Sequence, residues 1–222
     1  MLLYAITDRN QLPGATDADR RTALITLAAD WAAHNIDYIQ IREKDLAPAD
    51  LLALATDIVA AVRPHSLITR VLLNGPASIA LQARADGIHL PATAPLSAAS
   101  EARARFVSTG RDAIISYACH SVYEVLRAKE ESQRDPNATV TNTLIVFAPV
   151  FEKRTPAKII PGLGLDALHA AAGAARPIPV LALGGITRDN APACLAAGAA
   201  GIAAIRLFLT NDWQSLNNPK SI

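Results

Sequence analysis

The amino-acid sequence predicts an α/β fold, a single (β/α)8 TIM barrel over residues 1–222, and three observations lead to that prediction. Short apolar runs alternate with helical stretches from one end of the chain to the other. The runs are mostly apolar along their whole length rather than at every second residue, which is typical of parallel strands buried on both faces. About eight such units fit into 222 residues, a length that suits a compact barrel.

The predicted units follow one another in a simple order. Strands are predicted at residues 2–6, 37–41, 70–74, 87–90, 112–116, 143–148, 179–183 and 201–205. Helices are predicted at 22–35, from Pro48, from Pro76, from Ser97 or Ala98, and at 121–131, 165–175 and 189–198. A doubly wound open sheet is the alternative. Such a sheet normally carries a GxGxxG turn after its first strand, and the segment TDRNQLPG has none.

Two connections and the C-terminal segment depart from the regular pattern. Residues 132–142 are polar and are predicted to form a surface loop on the αβ side, away from the active face. Residues 152–164 directly follow a strand and therefore belong to the βα side, where TIM barrels carry their active sites. The polar tail 210–222 is expected to be partly disordered or to pack across one end of the barrel.

Composition and charge exclude several classes of protein. The formal net charge is +1 with acids and bases interspersed, so the chain lacks the basic stripe of a nucleic-acid-binding protein. No apolar run reaches the roughly 18 to 20 residues of a membrane span, and MLLYAITDRN does not resemble a signal peptide. Cys119 and Cys194 are far apart, so neither a disulfide nor a cysteine metal site is predicted. We expect a cytoplasmic protein that binds neither membranes nor nucleic acid.

Polar residues at the end of the second predicted strand form the first candidate site. Gln40, Arg42 and Lys44 share one face of an extended strand because side chains alternate with period two. An amide and two cations at the open end of a barrel suit a phosphate or a carboxylate. A solvated strand end with local ion pairs to Glu43 and Asp45 explains the same residues equally well.

The third and fourth predicted strands also end in polar residues. Asn74-Gly75 either presents a polar group at the barrel opening or forms a tight turn, since both residues tolerate positive φ. His89 lies among apolar neighbours, and the favoured interpretation is a buried core histidine with its hydrogen bonds satisfied.

His120 directly follows the fifth predicted strand. Ser121 is a candidate N-cap, with Glu124 completing a capping box. Capping accounts for Ser121 and Glu124 but not for a histidine at the C-terminal end of a barrel strand. Histidine at such a place is suited to proton transfer near neutral pH.

The seventh and eighth predicted strands end in an anion-binding pattern. Gly184-Gly185 lets backbone N–H groups approach a ligand, and a helix from Arg188 or Asp189 would add its dipole. The eighth strand ends at Ile205-Arg206. Because loops after these two strands commonly hold phosphate in this fold, a phosphate site is favoured over a simple turn.

Taken in order, the motifs resemble the thiamine phosphate synthase/TenI superfamily over nearly the whole chain. The matching segments are YAITD (4–8), IQIREK (39–44), LLNG (72–75), DGIHLP (86–91), His120-Ser121, APVFEKRTPAK (148–158), PGLGL (161–165), LALGGIT (181–187) and AAGAAGIAAI (196–205). The resemblance implies a TIM barrel that acts on a small phosphorylated thiazole. Such barrels often pair, so a homo-oligomer is compatible with the sequence.

Compared with thiamine phosphate synthase, the chain keeps some positions and has lost others. The resemblance implies that the pyrimidine diphosphate would contact Gln40, Arg42, Lys44 and Asn74. Two carboxylates that hold Mg2+ in that enzyme are replaced by Gly75 and Ala94. In the loop after the sixth strand, Thr155 and Lys158 are kept as substrate-binding candidates, whereas a hydroxyl is replaced by Ala157. A serine that usually follows the eighth strand is replaced by Arg206.

This chain resembles the TenI-like thiazole tautomerases more than it resembles thiamine phosphate synthase. The shared features are LNG (73–75), HLP (89–91) and a histidine at the position of His120. The resemblance implies a proton shift without cofactor or metal that aromatises a carboxythiazole phosphate through His120. Arg42 and Lys44 would meet the carboxylate, and Gly184, Gly185, Ile205 and Arg206 the phosphate. Two alternatives stay open: a Mg2+-dependent thiamine phosphate synthase, and a barrel without catalytic activity that binds thiazole or thiamine phosphates or acts through a partner.

Overall fold

Eight parallel strands close into a barrel in a computed structural model that describes residues 1–95, 97–154 and 159–217. The barrel strands are β1 (Leu2–Ile6), β2 (Tyr38–Ile41), β3 (Arg70–Leu73), β4 (Gly87–Leu90), β5 (Ile114–Cys119), β6 (Thr143–Phe147), β9 (Val180–Leu183) and β10 (Gly201–Ala204). Their order around the barrel is β1-β10-β9-β6-β5-β4-β3-β2. The predicted (β/α)8 barrel is therefore confirmed.

Helices alternate with the barrel strands and surround them. They are α1 (Asp17–Ala33), α2 (Pro48–Val62), α3 (Ala77–Gln82), α4 (Ala98–Val107), α5 (Val122–Arg134), α6 (Gly164–Ala175), α7 (Ala191–Ala196) and α8 (Arg206–Leu209). Helix α1 begins at Asp17 rather than at residue 22, because Thr16 and Asp19 form a capping box ahead of the apolar residues. Strand β5 is shifted from the predicted 112–116 and ends at Cys119, directly before His120.

The first of the three irregular segments differs from its prediction, and the structure adds detail to the other two. Helix α5 continues to Arg134, and Asp135 is buried, so residues 132–142 are not simply a surface loop. Residues 152–164 include an antiparallel hairpin of β7 (Lys153–Arg154) and β8 (Ile159–Ile160) at the C-terminal end of the barrel. In the described part of the tail, Trp213 is buried and stacks on Phe208.

Apolar side chains pack in two layers, one inside the barrel and one between the strands and the helices. The inner layer is formed by Tyr4, Ile6, Leu72, Leu144, Val146, Leu181 and Ala203. Because the strands are covered on both faces, they are mostly apolar along their length, as the sequence predicted. Among the described helices, none combines the length and the apolar character needed to span a bilayer.

Candidate active site

A cavity of about 490 Å³ opens at the C-terminal ends of the barrel strands. Its described lining includes seven of the residues predicted from the sequence: Gln40, Arg42, His120, Gly184, Gly185, Ile205 and Arg206. Lys44 and Asn74 do not line it; Lys44 is exposed, and Asn74 is half-buried with its backbone N–H donating to Ile41. Thr155 and Lys158 lie outside the described residues.

His120 lines the cavity, and one of its ring nitrogens has a defined hydrogen-bond partner. Its Nδ1 lies 2.7 Å from the carbonyl oxygen of Ala148. A carbonyl can only accept, so Nδ1 carries the proton and, in the neutral ring, Nε2 holds a lone pair. The preceding residue offers no competing nucleophile, because burial raises the pKa of the Cys119 thiol to about 12. The arrangement therefore supplies a base at Nε2.

The cap of helix α5 also holds the backbone of His120. Ser121 Oγ accepts from the N–H of Glu124 at 3.2 Å, as an N-cap should. The carboxylate of Glu124, however, accepts from the N–H of His120 and not from that of Ser121. The predicted capping box also requires a hydrogen bond from the Ser121 N–H to the Glu124 carboxylate, and that half of the prediction is wrong. The Glu124 carboxylate instead binds the N–H one residue earlier and so fixes the backbone of His120.

Arg42 is not paired with its neighbouring carboxylates, because Arg9 binds both of them. The Arg9 guanidinium contacts Asp45 through two bonds of 2.8 Å and Glu43 at 3.0 Å. The interpretation in which Glu43 and Asp45 form ion pairs with Arg42 is therefore wrong. Within the described residues Arg42 has no salt bridge, and its charge is available to a ligand.

Thr7 connects this ion cluster to the backbone of Arg42. Its hydroxyl donates to Glu43 Oε1 at 2.6 Å, and its Oγ1 accepts from the N–H of Arg42 at 2.9 Å. Arg9, Glu43 and Thr7 are all buried. They hold the ends of β1 and β2 together at the point where Arg42 enters the cavity. No periodicity in the sequence indicated a role for Arg9.

Gln40 and His89 occupy the buried part of the cavity. Gln40 is 1% exposed, and its Oε1 has no hydrogen-bond partner in the part of the chain that the structure describes. Such an atom is costly to bury unless a ligand donates to it. His89 is buried as predicted, and its Nδ1 lies 3.0 Å from Ser116 Oγ. It also lines the cavity, which the favoured core interpretation did not anticipate.

Gly184 and Gly185 form a turn that only glycine fits. Their φ angles are +100° and +65°. A Cβ on Gly184 would lie 2.7 Å from Cα of Pro149, and one on Gly185 would lie 2.8 Å from the carbonyl oxygen of Glu152. Asn190 Nδ2 donates to the Gly185 carbonyl at 2.9 Å. The following helix begins at Ala191, not at residue 188 or 189.

The charges around the cavity favour an anion. Arg42 and Arg206 are the charged side chains of its described lining, which contains no carboxylate. The positions where carboxylates would hold Mg2+ are apolar: Gly75 lies beside Leu51 and Leu73, and Ala94 packs against the core. Within residues 1–95, 97–154 and 159–217, no three His, Cys, Asp or Glu side chains are grouped to bind a metal. Neither Gly75 nor Ala94 carries a side chain that could bind a metal ion.

Comparisons with known proteins assign the family. Residues 3–208 match the TMP-TENI family model, described as thiamine monophosphate synthase. A Geobacter sulfurreducens protein, provisionally named a thiamine-phosphate synthase, is 35% identical over 94% of this chain and 87% of its own length. A Methanoculleus marisnigri thiamine-phosphate synthase is 33% identical over 91% of this chain and 85% of its own.

A solved structure supports the same fold. Thiamine phosphate pyrophosphorylase from Pyrococcus furiosus superposes with a TM-score of 0.70 and 23% identity, covering 98% of this chain and 97% of that one. The names of these similar proteins are those of the synthase, which was the alternative, and not of a tautomerase. The chain belongs to the TMP-TENI family.

Proposed function

We propose that the chain is an enzyme of thiamine biosynthesis that acts on a thiazole phosphate as a tautomerase. The observation that carries the proposal is the state of His120. Its Nδ1 is held by the Ala148 carbonyl, so Nε2 is a base in a cavity with two guanidinium groups and no described carboxylate. A base in a cavity whose described lining has no carboxylate, with Gly75 and Ala94 where the synthase carries carboxylates, suits a proton shift better than displacement of a diphosphate.

The proposed reaction moves one proton. His120 Nε2 removes the proton from the ring carbon that bears the carboxylate, and the electron pair of that C–H bond enters the ring. The ring double bonds rearrange, and the electron pair of the exocyclic double bond forms the new C–H bond when its outer carbon takes the proton from the imidazolium. One C–H bond breaks and another forms, so atoms and electrons balance without a co-reactant, and the imidazole returns to its starting state.

The cavity offers a partner for each anionic group of such a substrate. Arg42 would pair with the carboxylate, and its guanidinium is available because Arg9 binds the nearby acids. The phosphate would contact Arg206 and the backbone at Gly184-Gly185 and Ile205. Gln40 Oε1, unpaired among the described residues, would accept a hydrogen bond from a ligand or from a water bound with it.

Thiamine phosphate synthase is the second candidate. The names of the similar proteins favour it over the tautomerase, and Gln40, Arg42, Lys44 and Asn74 match that enzyme's substrate positions. The residues at 75 and 94 argue against it, because a diphosphate bound with Mg2+ typically uses one or two protein carboxylates.

Parallel assays with and without a chelator distinguish the candidates. We expect aromatisation of the carboxythiazole phosphate in both conditions and a loss of about 10²-fold or more in His120→Asn. His169→Asn is the matched control, because exposed His169 also places Nδ1 near a carbonyl, that of Ala197 at 3.3 Å, but lies outside the cavity lining. Mg2+-dependent formation of thiamine phosphate at enzyme-like rates would replace the proposal, and tight binding without turnover would favour a non-catalytic role.

A further inference from the structure

Three buried polar side chains form a chain of hydrogen bonds that ends at the cavity. Tyr4 on β1 lies 3.3 Å from Ser116 on β5, measured from hydroxyl to Oγ. Ser116 Oγ lies 3.0 Å from Nδ1 of His89 on β4. Tyr4 and Ser116 are fully buried, and His89 is 7% exposed where it lines the cavity. The proposed proton transfer at His120 does not use these three side chains.

Counting donors fixes the direction of these hydrogen bonds. Ser116 is the hydrogen-bond partner that the described residues provide for the Tyr4 hydroxyl, so the phenolic proton goes to Ser116 Oγ. The hydroxyl proton of Ser116 is then directed to His89 Nδ1, its other neighbour. Any other arrangement leaves a buried hydroxyl proton without an acceptor, which costs about 1–3 kcal/mol. His89 therefore accepts at Nδ1 and carries its own proton at Nε2.

Electrostatics keep each member of the chain in the required protonation state. Burial, with the nearby charges of Arg42 and Lys44, lowers the pKa of His89 to about 3, so the ring is neutral at physiological pH. Burial raises the pKa of the Tyr4 phenol above its usual value, so Tyr4 retains its proton as a donor. The two histidines of the cavity thus have opposite tautomers: His120 offers a lone pair at Nε2, and His89 offers an N–H.

We propose that His89 is a second catalytic residue, whose Nε2–H donates a hydrogen bond to the negative charge that develops when the substrate's ring carbon loses its proton. The inference rests on the proposed tautomerase function and adds a residue to it. His89 keeps its proton throughout, while His120 carries the transferred one. A neutral donor in a buried site stabilises developing charge without an ion having to be desolvated. Tyr4 and Ser116 are positioning residues that hold the tautomer.

Kinetics of matched variants test this role. His89→Leu removes the donor and should lower kcat by about 10²-fold, the typical effect of losing one donor to a developing anion. His89→Gln returns an N–H near the position of Nε2 and should recover kcat to within about tenfold of wild type. KM should stay within about threefold in both, because the hydrogen bond strengthens only in the transition state. Unchanged kcat in His89→Leu, or equal losses in the two variants, would overturn the role.

The histidine tautomers can be measured without turnover. In the intact protein, ¹⁵N chemical shifts should show His89 protonated at Nε2 and His120 protonated at Nδ1. Ser116→Ala should remove the preference at His89 and leave that at His120, and Tyr4→Phe should weaken it. A proton on Nδ1 of His89 in the wild type would refute the donor assignment. If the wild type has no tautomerase activity, the proposed function fails, whereas the shifts still decide the tautomer; the two failures are therefore distinguishable. If His89→Leu does not fold, His89→Gln and Ser116→Ala provide the same comparison.

Discussion

Replacing Arg9 by methionine should destabilise the barrel far more than removing an ordinary surface charge. The side chains of Arg9 and Glu43 are 6% and 1% exposed, so the variant leaves a buried carboxylate without its cation. Breaking a buried pair in this way costs about 3–5 kcal/mol. Asp17 and Asp45 are more than half exposed, and each lost contact adds about 0.2–1 kcal/mol. We therefore expect a loss of about 4–6 kcal/mol in the free energy of unfolding.

Urea denaturation with a double-mutant cycle measures this loss and its origin. Arg9→Met, Glu43→Gln and the double variant give the coupling between the two side chains, which should be at least about 2 kcal/mol. Arg188→Met is the control, because Arg188 and Asp189 form an exposed pair at 3.4 Å whose loss should cost less than about 1 kcal/mol. A loss below about 1 kcal/mol in Arg9→Met, or a coupling near zero, would refute the assigned role of Arg9.

Three further predictions concern the phosphate turn, its cation and acid stability. In Gly184→Ala, the alanine would have to adopt a φ of +100° with its Cβ against Pro149, so the free energy of unfolding should fall by about 1–3 kcal/mol and phosphate binding should weaken. A variant as stable as the wild type would contradict this strain. In calorimetry, Arg206→Gln should raise the Kd of a thiazole phosphate about 10-fold or more and leave the Kd of the unphosphorylated thiazole unchanged. If the two Kd values rose equally, a contact between Arg206 and the phosphate would be excluded. Arg9 lowers the pKa of the Asp45 carboxyl from 3.8 to about 2. The stability that this pair contributes is therefore complete above about pH 4 and is lost as the pH falls through 2. An Asp45→Asn variant should lack that part of the acid unfolding transition.

The regular elements of the fold could be predicted because their signals are local. Apolar runs of four to six residues mark the barrel strands, and Pro48 marks the start of α2. The errors occurred where another local signal or a pairing partner decided the boundary. The capping box of Thr16 and Asp19 starts α1 before its apolar face begins. Pairing with β6 extends β5 to Cys119, which lies opposite Phe147.

Much of the candidate site was also predictable from position along the strands. Side-chain alternation and the rule that barrels bind ligands at strand ends brought together Gln40, Arg42, His120, Gly184 and Arg206. The partners that set the behaviour of these residues were not predictable. Tyr4 and Ser116 are 112 positions apart, and no pattern within one segment indicates that their hydroxyl groups meet.

The sequence by itself determined eight β/α units, apolar strands buried on both faces, and polar residues at the C-terminal strand ends. These follow from side-chain periodicity and from backbone preferences, which act over a few residues. Only the tertiary structure decided that Glu43 and Asp45 pair with Arg9 and leave Arg42 to a ligand, and that Nδ1 of His89 lies beside a hydroxyl whereas Nδ1 of His120 lies beside a carbonyl. Charge pairing and hydrogen-bond direction depend on which groups lie within about 3 Å, and closure of the barrel sets those distances between residues remote in sequence.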